Sequence, residues 1–305
     1  AAKQAQIVKI RKGERTVVAE NEAQSQYALA QSGDEMRRLA LQAEVLHTQP
    51  TRWLFAQAGL SVGMRVLDVG CGAGDGSFLA AEFVGPSGRV VGIDSSPQAI
   101  ETARLRASRA GLSTVAFEKA DLQAYESPEP FDALVGRAVL MHLPTPAAAL
   151  QRLLRSVRPG GVVAFREVLI GEPFLEATPR SELVDRFNAW YMTDALPALE
   201  ALGLEGKMGF RLHQVFRDAG LPAPQLWLHA PVGSEPGWPG WEYIGQQVQM
   251  IAATAAKAGA SLPSELEPAS LGARIRDAVL QQGGVLRLQR GVQAWARKPE
   301  SPSRG

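Results

Sequence analysis

One stretch limits what this chain can fold into more than any other: Val66-Leu67-Asp68-Val69-Gly70-Cys71-Gly72-Ala73-Gly74-Asp75-Gly76-Ser77. Its first part is branched and apolar with a single acid, which indicates a buried strand that ends in a tight turn. Glycines let the backbone take positive φ and let a ligand approach main-chain N–H groups closely. Residues 76–83 have the composition of a helix. The stretch therefore predicts a strand, a glycine turn and a helix start that together hold a nucleotide.

The spacing of the glycines excludes two common nucleotide motifs. Neither Gly70 nor Gly72 begins a complete G-x-G-x-x-G, and no Gly-Lys-Ser/Thr follows to make a P-loop. The order Asp68-x-Gly70-x-Gly72-x-Gly74 resembles the first motif of the class I S-adenosylmethionine-dependent methyltransferases; a generic α/β turn is the alternative. The resemblance implies that the three glycines pass under the methionine part of that cofactor. An acid at Asp68 or Asp75 suits its positive charge.

The next two strands end in further candidate cofactor ligands. Residues 89–94 read as a strand ending at Asp94, about twenty residues past the glycines. An acid in this position can accept both hydroxyls of a ribose, so Asp94 and Ser95 are predicted to bind the cofactor. A helix N-cap is the alternative for Asp94. The family resemblance assigns the adenine contacts to Asp121 and Leu122, after the third strand.

The fourth strand, residues 130–137, resembles the fourth motif of the same family. The resemblance implies cofactor contacts at Arg137 and Ala138 and a substrate contact at Met141. An Asn/Asp-Pro-Pro-Tyr/Phe pattern is missing, and Arg137 stands where metal-dependent catechol enzymes carry an aspartate. Amino-DNA methylation and a metal are therefore not expected. His142 has a pKa suited to accepting a proton, with packing at a helix start as the alternative.

A fifth signature completes the fold prediction. A helix at 146–157 is predicted to stop at Arg158-Pro159-Gly160-Gly161 and to lead into a strand at 162–167. These motifs in this order predict an α/β fold: a Rossmann-like, seven-stranded, mostly parallel sheet whose last strand, residues 291–298, runs antiparallel. N-terminal helices and helical cap insertions are expected around it. The expected units are an N-terminal helical cap or arm (1–60), a cofactor-binding core (61–170), a helical lid (171–209), a core continuation (210–233), a second helical insertion (234–284) and the last strand with its tail (285–305).

The leader contains Tyr27-x-Leu29-x-x-Ser32-x-x-Glu35-x-x-Arg38-Leu39. It resembles the N-terminal cap of bacterial small-molecule methyltransferases, in which the tyrosine lies near the methyl group. The resemblance makes Tyr27 a candidate for both catalysis and substrate binding, while an interface aromatic is the alternative. Glu167, like His142, is a candidate to take a proton from the acceptor. We also expect detachable N-terminal helices to permit a homodimer or higher homo-oligomer.

Aromatic residues in the two insertions are candidates for the acceptor site. The predicted walls are Trp190, Tyr191, Trp238 and Trp241, with burial against the sheet as the alternative. They favour a mid-sized, aromatic or heteroaromatic small molecule of secondary metabolism, such as a phenolic oxygen or an indole-type carbon acceptor. The sequence leaves O-, N- and C-methylation open.

Composition bears on partners and location. With 32 Lys and Arg against 31 Asp and Glu, the net charge is +1, which disfavours a nucleic-acid partner. A single cysteine, Cys71, and the lack of an apolar run of about 18 residues predict a cytoplasmic protein without a membrane partner. The expected cofactor is S-adenosylmethionine, with S-adenosylhomocysteine as product. An RNA-modifying methyltransferase and a non-catalytic, cofactor-binding regulatory protein remain as alternatives.

Overall fold

The computed structural model describes residues 41–300. Residues 1–40 of the predicted N-terminal helical cap or arm, with Tyr27, lie outside the described residues. Within residues 41–300, no helix has the length and apolar character needed to cross a membrane.

A seven-stranded sheet forms the centre of the molecule. The strands of the described part are β1 (Arg65–Val69), β2 (Arg89–Asp94), β3 (Val115–Lys119), β4 (Phe131–Arg137), β5 (Val157–Val168), β6 (Glu176–Thr178), β7 (Gln225–His229), β8 (Val232–Gly233), β9 (Val285–Arg287) and β10 (Gly291–Arg297). The central sheet has the order β3-β2-β1-β4-β5-β10-β7. Only β10 runs antiparallel to its neighbours in this sheet. The predicted fold class is confirmed.

Nine α-helices lie wholly within the described part of the chain. They are α1 (Thr48–Ala58), α2 (Asp75–Val84), α3 (Pro97–Arg109), α4 (Pro146–Leu153), α5 (Glu182–Trp190), α6 (Leu196–Ala201), α7 (Met208–Asp218), α8 (Gly240–Ala256) and α9 (Pro268–Leu280). Five of them, α1, α2, α3, α4 and α7, pack on the two faces of the central sheet. Because side chains alternate along a strand, Val66 packs on the face with α1, α2 and α3, and Leu67 packs on the face with α4 and α7. The strand order reverses between β1 and β4, which places a ligand crevice at their carboxyl ends.

A third apolar core lies in the insertions. Helices α5, α6, α8 and α9 pack together there, and a second small sheet of order β6-β9-β8 closes one side. A strand of two or three residues is too short to show an alternation of apolar and polar side chains, so this small sheet could not be predicted from the sequence.

The predicted stop at residues 158–161 is instead the start of a strand. β5 begins at Val157, and its register with β4 shifts between Phe131 and Ala133. Gly160 N donates to Lys298 O at 2.9 Å, and Lys298 N donates to Gly161 O at 2.8 Å. Because they pair with the chain after β10, Gly160 and Gly161 are part of strand β5 and do not form a loop.

Candidate active site

The glycine turn after β1 leaves the main chain open at one position. Gly70, Gly72 and Gly74 have φ values of 64°, 54° and 93°. A Cβ on Gly70 would lie 2.4 Å from Val139 Cγ2, and a Cβ on Gly74 would lie 2.8 Å from Phe117 Cζ. A Cβ on Gly72 would meet nothing within 4 Å. Gly72 therefore combines a left-handed backbone with the open space that close approach of a ligand requires.

Asp94 lies beside this turn with both carboxylate oxygens held in place. Its Oδ2 accepts a hydrogen bond from Gly72 N at 3.0 Å, and its Oδ1 accepts one from Ser96 N at 2.8 Å. Each oxygen has capacity for another bond, and Asp94 is half-buried while Ser95 is exposed. Two fixed acceptors next to an open turn fit the adjacent hydroxyls of a ribose.

Asp68 lies beneath the turn. It is 3 % exposed, and its Oδ2 accepts a hydrogen bond from Ser77 Oγ at 2.6 Å. Desolvation raises the pKa of Asp68 to about 6, although the Ser77 hydrogen bond and the Arg137 charge act in the opposite direction. The carboxyl group anchors the first turn of α2. Its role toward the cofactor stays a prediction.

Two arginines lie at the start of α2: Arg137, a predicted cofactor contact, and Arg106, which was not predicted. Arg106 Nη2 donates to Asp75 Oδ1 at 2.7 Å, and Arg106 Nη1 donates to Ala73 O at 2.7 Å. Arg137 Nη2 lies 4.0 Å from Asp75 Oδ2. Arg137 Nη1 is buried and has no hydrogen-bond partner among the described residues, and desolvation lowers the pKa of Arg137. A guanidinium with a spare N–H beside the turn suits a carboxylate ligand.

A strained turn follows Arg137 and is held by Glu167. Ala138 has a φ of 48°, which a non-glycine residue seldom adopts, and its N donates to Arg166 O at 2.8 Å. Glu167 is fully buried, and its Oε1 accepts from Val139 N at 3.1 Å and from Leu140 N at 2.9 Å. Desolvation raises the pKa of Glu167 to about 7 against those hydrogen bonds. Glu167 therefore anchors this turn, while proton transfer by Glu167 and cofactor binding by Ala138 stay predictions.

The other predicted residues of the crevice occupy different environments. Met141 is buried in the core, whereas His142 is exposed on the same short helical turn after β4. Desolvation lowers the pKa of His142, which favours its neutral, proton-accepting form. Asp121 is exposed, and its Oδ1 accepts from Gln123 N at 2.8 Å; Leu122 beside it is buried. The roles of these residues stay predictions.

The four predicted aromatic walls lie in the apolar core of the insertions. Trp190, Tyr191 and Trp241 are buried, and Trp238 packs edge-on against Trp241 with ring centroids 5.0 Å apart. Their polar atoms donate to main-chain carbonyls: Trp190 Nε1 to Ser261 O, Tyr191 OH to Ile170 O and Trp241 Nε1 to Glu235 O. They stabilise the insertions, and acceptor binding by them stays a prediction.

The fold and this crevice define a class of protein. The structure brings Gly72, Asp94 and Arg137 to the carboxyl ends of β1, β2 and β4. A bare main chain, two fixed acceptor oxygens and a spare guanidinium donor fit a cofactor with a ribose and a charged amino-acid tail. Within residues 41–300, no group of three or more His, Cys, Asp or Glu side chains could hold a metal ion. The class is a Rossmann-like domain that binds a nucleoside cofactor.

Comparison with known proteins gives the family. Residues 60–220 match the family described as methyltransferase domain, which is just over half of the chain. The chain belongs to the S-adenosylmethionine-dependent methyltransferases.

Named relatives act on different substrates. Trans-aconitate 2-methyltransferase of Azoarcus sp. (strain BH72) is 40% identical over 119 residues, which cover 39% of this chain and 45% of that protein. The chain thus spans about half the length of such relatives. Aklanonic acid methyltransferase DauC of Streptomyces sp. (strain C5) is 35% identical over 164 residues, covering 46% of this chain and 74% of that protein.

Two solved structures share the fold. The YcgJ protein of Bacillus subtilis has a TM-score of 0.53 at 16% identity, covering 84% of this chain and 100% of that chain. The 4+2 cyclase SpnF has a TM-score of 0.51 at 22% identity, covering 84% of this chain and 82% of that chain.

Proposed function

We propose that this chain transfers the methyl group of S-adenosylmethionine to a mid-sized aromatic or heteroaromatic small molecule of secondary metabolism. The observation that carries the proposal is the joint geometry of Gly72 and Asp94. Gly72 offers main chain without a side chain. Asp94 offers two acceptor oxygens that are fixed by main-chain N–H groups. Family membership supports the same cofactor.

Each part of the cofactor has a proposed partner. Asp94 accepts the two ribose hydroxyls, and the methionine part lies over Gly72. Arg137 Nη1, which is buried without a partner in the described part of the chain, donates to the carboxylate of that tail. Asp121 and Leu122 contact the adenine.

Methyl transfer from this cofactor requires alignment of the acceptor more than it requires acid-base groups. When bound, S-adenosylmethionine supplies a methyl group on a positively charged sulfur, which is already a strong electrophile. This chain then has to orient the acceptor and exclude water. By fixing the turn after β4, Glu167 gives one wall of the crevice a single shape. For a hydroxyl or amine acceptor, His142 is the proposed proton acceptor, and Tyr27 is the proposed contact to the acceptor ring.

A small-molecule acceptor is supported by charge and by relatives. The net charge of +1 supplies no field that would attract a polynucleotide. The relative from Streptomyces is named for an organic acid, aklanonic acid. The helical insertions have an apolar core of their own, and we expect their surface toward the sheet to contact the acceptor.

The cofactor proposal is tested by calorimetric titration of S-adenosylhomocysteine into the wild type and Asp94→Ala. Loss of two charge-assisted hydrogen bonds at about 1.5–3 kcal/mol each predicts that affinity falls at least about 100-fold. Asp218→Ala, which changes an exposed acid at the end of α7, should bind like the wild type. Failure of the wild type to bind, or equal affinity of Asp94→Ala, would remove the proposal.

A further inference from the structure

Arg166 is a buried cation that the cofactor proposal does not use. It lies near the carboxyl end of β5, is 2 % exposed, and faces Arg137 on one side and Gln293 on the other in the register of the sheet. Cross-strand partners point to the same face of a sheet. The glycine turn follows β1, Arg137 lies on β4 and Arg166 lies on β5. Arg166 is therefore one strand farther from the glycine turn than Arg137, toward β10.

The partners that Arg166 has are all neutral acceptors. Its Nη1 lies 2.9 Å from His47 Nδ1, and its Nη2 lies 3.2 Å from both Leu46 O and His229 Nε2. Desolvation, together with Arg166 and other nearby cations, lowers the pKa of His47 well below its usual value, and desolvation with Arg166 lowers that of His229 to about 3. Both imidazoles therefore stay neutral and accept from the guanidinium.

Tyr243 and Glu167 act favourably on this charge, but no carboxylate among the described residues forms an ion pair with Arg166. Desolvation by burial, together with the like charge of Arg137, lowers the pKa of Arg166 to about 9. A lowered arginine pKa means that the surroundings disfavour its charged form. The adjacent acid, Glu167, points to the opposite face of β5 and accepts from Val139 N and Leu140 N. Burying a cation without a compensating negative charge is costly.

Two buried donors of this cluster have no partner within residues 41–300. Arg166 Nε is buried and has no hydrogen-bond partner in the described part of the chain, and the same holds for His229 Nδ1. Since His229 accepts at Nε2, its proton is on Nδ1, which makes this atom a second spare donor. A water between Arg166 Nε and the unpaired Gln293 Oε1 could satisfy the donor but would leave the charge unbalanced. An anion that accepts hydrogen bonds would satisfy the donor and balance the charge.

We propose that Arg166 binds the carboxylate of an acidic acceptor, so that the substrate class is a small organic acid. The inference rests on the proposed function, because it assigns the acceptor side of the same crevice. The carboxylate of the cofactor has the same chemistry, but Arg137 is nearer to the glycine turn, 4.0 Å from Asp75 at the start of α2. The order β1-β4-β5 puts Arg166 one strand, about 4.8 Å, beyond Arg137. Arg137 therefore serves the cofactor and Arg166 the acceptor.

The test uses matched acid and amide probes on protein saturated with S-adenosylhomocysteine. The pairs are indole-3-acetic acid with indole-3-acetamide, and cinnamic acid with cinnamamide, each titrated by calorimetry. At least one acid should bind at least 10-fold more tightly than its amide. Arg166→Gln should reduce the affinity for that acid to that for the amide, while its affinity for S-adenosylhomocysteine stays within twofold of the wild type. Arg287→Gln, which changes an arginine paired with Glu176 in the small sheet, should keep the preference for the acid.

Several results would overturn the inference. Equal affinity for acid and amide in both pairs would do so, as would loss of S-adenosylhomocysteine binding in Arg166→Gln, since the carboxylate would then be that of the cofactor. If Arg166→Gln does not fold, Arg166→Lys is the second variant, because it keeps the charge and loses the planar fork. We expect Arg166→Lys to bind the acid probe at least fivefold more weakly than the wild type. An unchanged affinity for the acid probe would contradict the inference. Absence of S-adenosylhomocysteine binding to the wild type would instead refute the proposed function.

Discussion

Replacement of Glu167 by glutamine should change how stability depends on pH. Glu167 is fully buried, and its Oε1 accepts from the N–H groups of Val139 and Leu140. Glutamine keeps an acceptor oxygen at that place and cannot ionise. The variant therefore retains the anchor of the strained turn at Ala138 and removes the cost of a buried negative charge. Its amide nitrogen replaces Oε2, which is buried without a partner among the described residues, and this adds a cost that does not depend on pH.

The magnitude follows from the pKa of Glu167. Burial raises it from 4.5 to about 7. Because the folded value lies above the unfolded one, the contribution of Glu167 to stability is complete below pH 4.5 and is lost as the pH rises through 7. The difference between the folded and unfolded pKa corresponds to about 3 kcal/mol, at about 1.4 kcal/mol for each unit of pKa. Relative to the wild type, Glu167→Gln should gain about 3 kcal/mol of stability between pH 5 and pH 8.

Urea unfolding at pH 5, 6, 7 and 8 measures this difference directly. Glu118→Gln, at an exposed position on β3, is the control, and its difference from the wild type should be constant across the series. Glu167→Ala also cannot ionise but loses the acceptor, so it should be less stable than Glu167→Gln at every pH, by about 1–3 kcal/mol for the buried N–H groups left unpaired. A flat difference between Glu167→Gln and the wild type from pH 5 to 8 would refute the reasoning.

Two further predictions concern the glycine turn and the start of α2. Gly72→Ala should lose about 1–2 kcal/mol of stability from backbone strain and bind S-adenosylhomocysteine at least 10-fold more weakly, whereas Gly70→Ala, whose Cβ would lie 2.4 Å from Val139, should lose more stability. Equal unfolding midpoints for the two alanine variants would contradict this. Ser77→Ala removes the donor to Asp68 and should cost about 1–3 kcal/mol at pH 8 but less at pH 5, because Asp68, with a pKa of about 6, is protonated there. Urea unfolding at both pH values checks this, and a loss that is larger at pH 5 would show that the hydrogen bond acts differently.

The glycine turn and the strands around it could be predicted because their signals are local, while the binding roles of their residues stay predictions. The glycine turn, Asp94 and the order of the strands each follow from a few adjacent residues, and the structure has the strands where the hydrophobic runs place them. Boundaries were less certain where pairing with distant chain decides them. β5 includes Gly160 because it pairs with Lys298, which no local pattern indicates.

The contact of Arg166 with two histidines could not be predicted, because His47, Arg166 and His229 are far apart in the sequence. They meet only when the start of α1 and the end of β7 pack beside β5. One signal was present: Arg166 and Glu167 are two successive charged residues in the otherwise apolar run of residues 162–168. Such a pair in a buried strand indicates that each side chain has a specific partner.

The central claim is that the space above Gly72 and beside Asp94 holds S-adenosylmethionine. A crystal structure of the chain with S-adenosylhomocysteine tests it most directly. We predict that the ribose hydroxyls contact both oxygens of Asp94, that the tail lies over Gly72, and that its carboxylate contacts Arg137. Side chains that fill this space, or a ligand bound at another place, would contradict the account.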